Sequence, residues 1–72
     1  MQPEKMVLMA NQIATFFETQ PGNDQAQRVA DHINDFWEPR MRAKLSEHVI
    51  SGGKGLSPLA LDAFTYVRIP TD

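Results

Sequence analysis

Apolar residues recur three and four positions apart along nearly the whole chain, and nowhere do they alternate long enough for a sheet. The pattern predicts an all-α fold, a small bundle of three to four short helices forming one domain over residues 1–72. "QPGND" at 20–24 and "SGGKG" at 51–55 read as loops, and Pro39 as a third break. Helices are therefore expected at about 3–19, 24–38, 39–50 and 57–67, with flexible ends that include the closing "IPTD".

The four segments differ in how their apolar residues are arranged. In the first, Met6, Val7, Met9, Ala10, Ile13, Ala14, Phe16 and Phe17 spread over an arc of roughly 180°. A core-facing stripe needs little more than about 100°. Leu8 lies outside even that arc, on the face of Gln12 and Thr15, so this helix has more apolar surface than short neighbours can cover. The second segment is one-sided. Ala26, Val29, Ala30, Ile33, Phe36 and Trp37 form a narrow stripe, with Asp24 as expected cap and an expected Arg28–Asp31 ion pair on the exposed side.

Pro39 has no amide hydrogen and clashes with a preceding helical turn, so the second helix should end at Trp37 or Glu38. The same ring suits the first turn of a third helix, which faces inward through Met41, Leu45, His48 and Val49. Gly52 or Gly53 should close that helix through a left-handed turn. The fourth opens on Ser57 as cap and Pro58 as first residue, with Leu56 placed to staple onto Leu61. Ala60, Ala63, Phe64 and Val67 continue its inward face.

Length adds a constraint. A chain of 72 residues buries only about 60% of the surface that its unfolded form exposes. Without cysteine it has neither disulfides nor thiolate metal sites to reinforce so small a core. The formal charge of −2, from seven basic and nine acidic residues, argues against a nucleic-acid partner. No apolar run reaches the roughly 18 residues of a membrane span, and "MQPEKMVLMANQ" does not read as a signal peptide. A cytoplasmic location is expected.

Candidate chemistry is sparse. His32 reads as a solvated imidazole on a helix flank and His48 as a packed, hydrogen-bonded histidine; their spacing demands no metal. In "SGGKGLSP", Lys54 and Ser57 with the loop amides could hold an anion. The spacing is not that of a phosphate-binding loop, however, and an inter-helix connector accounts for the same residues. No catalytic site is visible. What stands out is "FWEPRMR" (36–42): Trp, Met and Arg are enriched at interface centres, and Trp and Arg most often dominate binding. Arg40 and Lys44 share one face of the third helix, while Arg42 lies on another.

Three blocks, "MANQIATFF" (9–17), "VADHINDFWEPRMRAKL" (29–45) and "GGKGLSPLALDAF" (52–64), resemble the delta subunit of soluble NAD-dependent formate dehydrogenases. They occur in order over nearly the whole chain, and "HINDFWEPRMR" is the most specific run. The resemblance implies a small, non-catalytic accessory subunit of a bacterial cytoplasmic complex, without a cofactor of its own, aiding assembly or stability. In that family the large alpha subunit holds a molybdenum or tungsten cofactor on molybdopterin. Iron–sulfur clusters and flavin on other subunits pass electrons to NAD. Asn11, Gln12, Phe36, Trp37, Pro39, Arg40, Met41 and Arg42 match the recurrent blocks. Similar sequences often carry a basic residue where this chain has Leu8; if that residue makes a partner contact, this chain makes it differently or uses Leu8 for an apolar contact instead.

The expected docking surface thus comprises Leu8, Asn11, Gln12 and Phe16 on the first helix and Trp37, Arg40, Met41, Arg42 and Lys44 at the junction. Its expected occupant is the alpha subunit or another subunit of the complex. Two other readings fit the residues: a self-associating helical regulator, and an assembly factor that grips molybdopterin through Lys54, the glycine loop and nearby arginines.

Overall fold

A computed structural model describes residues 3–69. It contains α1 (Pro3–Glu18), α2 (Gln25–Phe36), α3 (Pro39–Ile50) and α4 (Pro58–Phe64), and no strand among the described residues. The expectation of flexible ends concerns mainly residues 1–2 and 70–72, which lie outside the described residues.

The interior is built where α1, α2 and α4 pack on one another. Met6, Ala10 and Ala14 of α1 meet Val29, Ala30, Ile33 and Trp37 from α2 and its end, and Ala60 and Ala63 of α4. From α3 only Leu45 is fully covered, with Met41 and Val49 packed partly against the core. Ala14, Ala30 and Ala63 show no accessible surface, so the helices approach with little more than methyl groups between them.

The helix ends follow from local chemistry. Glu38, before Pro39, is held extended (φ −64°, ψ 152°), and Trp37 has already left helical geometry (φ −91°, ψ 136°). At the end of α3, the Gly53 amide donates to the His48 carbonyl (2.9 Å) and the Gly52 amide to that of Val49 (3.0 Å). This is the Schellman closure expected of the two glycines. Ser57 accepts the Ala60 amide at 3.3 Å and caps α4.

Two expectations for α2 are corrected. Asp24 makes no side-chain cap bond; its carboxylate pairs instead with Arg28 at 3.1 Å. Asp31 accepts from Gln27 at 2.9 Å rather than pairing with Arg28. An acid one turn before a base is the better-aligned helical pair, though both groups are about half exposed and the pair contributes little. The fourth helix also stops at Phe64, short of residue 67: the Tyr66 and Val67 amides donate three residues back, tightening the chain into a turn.

Gly53 combines φ +65° with a crowded site, where an added Cβ would lie 2.8 Å from Leu61 Cδ2. Gly53→Ala is therefore expected to cost about 1–2 kcal/mol, mostly from the left-handed backbone. In a domain of this size that lowers the melting temperature by roughly 5–10 °C. An unchanged melting temperature would show that this turn relaxes freely.

Candidate interaction surface

Between α1 and α2 runs an open groove of about 530 Å³, its walls formed by Met9, Gln12, Ile13, Phe16 and Phe17 on one side and His32 and Phe36 on the other. Trp37 forms part of its lining and is otherwise buried, at 6% exposure. Four rings form a row across it. Phe16 meets Phe17 edge to face (5.1 Å between centroids, 83°), Phe17 meets His32 (6.5 Å, 63°), and His32 lies tilted over Phe36 (4.7 Å, 35°). The two outer rings are the uncovered ones: Phe16 is 60% and Phe36 73% exposed. Leu8, 56% exposed, sits one turn before Gln12 on the helical row that continues to Phe16.

Phe36 corrects the reading of α2 as a helix whose whole stripe faces inward. It stands at the edge of that stripe, beside His32, in the last turn before the chain leaves helical geometry. His32 in turn is half-buried against aromatic rings rather than freely solvated. The signal for both is present in part: a phenylalanine at the margin of a stripe, one turn from a histidine.

The residues expected to dock are distributed over several places. Gln12, Phe16 and Trp37 come together at the groove. Asn11 instead ties α1 to the loop before α4: its Nδ2 donates to the Gly55 carbonyl (2.9 Å) and its Oδ1 accepts the Ser57 amide (2.9 Å). Arg42 is likewise engaged within the chain. Its Nη1 donates to the carbonyls of Trp37 (2.9 Å) and Asn34 (3.2 Å), and its Nε to that of Arg68 (2.7 Å). Met41 packs partly on the core, while Arg40 and Lys44 remain exposed on α3. Asn34, which sequence reasoning does not single out, makes two further bonds to the segment after α4.

The glycine loop has few donors left for an anion. The amides of Gly52, Gly53, Leu56 and Ser57 all donate within the chain, and the Ser57 hydroxyl accepts from Ala60. His48 Nε2 lies 2.8 Å from the Lys54 carbonyl, and since a carbonyl only accepts, that nitrogen carries the proton. Among the described residues no three His, Cys, Asp or Glu side chains gather as a metal site, and no helix is long and apolar enough to cross a membrane.

Comparison with known families agrees with the sequence blocks. The family model of the NADH-dependent formate dehydrogenase delta subunit, FdsD, matches residues 5–64 of the 72. The chain belongs to the FdsD family. Membership makes it one of the subunits of a formate dehydrogenase complex and gives it the other subunits as partners. No curated protein matches the chain significantly. The FdsD match covers both walls of the groove, α1 from Lys5 onward, and all of α2, α3 and α4.

Proposed function

We propose that this FdsD chain is a non-catalytic accessory subunit that docks on another formate dehydrogenase subunit through the α1–α2 groove and aids assembly or stability of the complex. The large alpha subunit is the expected occupant. The molybdopterin, iron–sulfur and flavin groups are assigned to partner subunits, and the complex to the cytoplasm. The observation that carries the reading is the exposure of Phe16 and Phe36 at the two ends of an aromatic row on a chain of a multisubunit family. Large aromatic side chains left uncovered around a concave apolar floor are what a protein partner most readily buries.

The test replaces Phe16 and Phe36 together by serine. Because both are exposed, the fold should change by no more than about 0.5 kcal/mol. Affinity for the formate dehydrogenase subunits should fall roughly a hundredfold or more, as expected when two interface anchors are removed. A folded double variant that co-purifies undiminished would rule the groove out. Arg40→Ala with Lys44→Ala probes the exposed basic face of α3 separately. Sedimentation of the isolated chain reads the self-association alternative.

A further inference from the structure

A second site lies where α2 meets α3, and a segment of the chain itself occupies it. The residue held is Arg68, gripped by its backbone rather than its side chain. Its amide donates to Asn34 Oδ1 at 2.7 Å, and its carbonyl accepts from Arg42 Nε at 2.7 Å. Asn34 Nδ2 also donates to the Tyr66 carbonyl at 3.2 Å. Between these points Val67 is inserted into the core at 7% exposure. The Arg68 and Tyr66 side chains remain in solvent.

We propose that Asn34 and Arg42 form a clamp that reads peptide backbone, holding residues 66–68 of its own chain and able to take the same segment from a second copy. Three features support this. An amide side chain that donates and accepts at once copies the pairing of a neighbouring backbone, so it recognises a segment largely irrespective of side chains. The occupant has one buried apolar anchor, Val67, so exchange between copies would recreate the same contacts in trans. The clamp is also braced independently of its occupant, because Arg42 Nη1 is fixed on the carbonyls of Asn34 in α2 and of Trp37 just after it. Tethering keeps the chain's own segment at an effective concentration in the millimolar range, so the cis arrangement dominates until that segment is released.

The experiment uses full-length chains. An acceptor carries Val67→Asp and Arg68→Pro, which remove the anchor and the amide bonded to Asn34; a donor carries Asn34→Ala and keeps an intact segment 65–69. Each alone should sediment as a monomer, and the equimolar mixture should form a heterodimer. An acetylated, amidated peptide of residues 65–69 should bind the acceptor and perturb Trp37 fluorescence. It should bind about tenfold or more weakly to wild type, whose own tethered segment fills the clamp, and to the acceptor with Asn34→Ala added, which loses two hydrogen bonds. If the doubly substituted acceptor loses its helical signal, Arg68→Pro alone replaces it. A folded acceptor that takes up neither peptide nor donor would overturn the proposal, as would equal peptide binding by acceptor and wild type. Failure here leaves the groove reading intact, since Phe16 and Phe36 take no part.

Discussion

Trp37→Ala is expected to bring the chain close to unfolding at room temperature. The indole is the largest side chain in the core, 6% exposed, placed where α2 ends and the chain turns into α3. Truncating a buried tryptophan costs about 3–5 kcal/mol, as lost burial plus the cavity left behind. A chain of 72 residues has a total stability of only roughly 4–11 kcal/mol, and small domains tend to the lower end. Thermal denaturation followed by circular dichroism should show a melting temperature lower by well over 10 °C. A shift of a few degrees would mean that neighbouring side chains collapse into the space.

Arg42→Met should destabilise the fold by about 2–3 kcal/mol, whereas Arg40→Met should change it by less than about 0.5 kcal/mol. Two arginines separated by one residue differ this much because of what they touch. Arg42 gives three hydrogen bonds to the carbonyls of Asn34, Trp37 and Arg68, closing the end of α2 and holding the segment after α4. Arg40 is exposed, and among the described residues its side chain makes no hydrogen bond or salt bridge. Arg42→Lys should recover only part of the loss, because an ammonium cannot span three carbonyls as a planar guanidinium does. Denaturant midpoints of the three variants measure this directly. Equal effects of Arg40→Met and Arg42→Met would contradict the assignment.

The contrast between those arginines also marks how far the sequence can be read. Helical periodicity locates all four helices, because spacing and breaker chemistry are local: Pro39 forces the second boundary and the Gly52–Gly53 pair the third. The surplus apolar arc of α1 is likewise legible in residue spacing alone, and Leu8 and Phe16 are exposed. What spacing does not carry is the use of polar side chains over long separations. Asn11 bonds to partners 44 and 46 residues away, and Asn34 to partners 32 and 34 residues away. No spacing rule encodes such contacts. A weak signal exists nonetheless, since asparagine is a poor residue for a helix interior and its presence there hints at a bond worth more than the propensity lost. Arg42 reads as a binding residue for the same reason, its type being informative and its partner distant. Phe36 is misplaced for a subtler cause: a helical projection weights every position in the stripe alike, while the last turn of a helix has fewer neighbours to cover it.

The alanines at the centre have a calorimetric consequence. Apolar surface hidden on folding sets most of the heat-capacity change of unfolding, and methyl groups hide little of it. Ala10, Ala14, Ala30, Ala60 and Ala63 stand among the buried core residues beside Trp37, Leu45 and Ile33, so the core hides less apolar surface than one built of large side chains throughout. The isolated chain should therefore have a comparatively shallow stability curve and a broad thermal transition. Much of its larger apolar surface, on Leu8, Phe16, Phe36 and Ile50, stays outside. Where a partner covers part of that surface, the missing heat-capacity change belongs to association instead, so binding grows more exothermic with rising temperature while the chain's own fold responds only weakly.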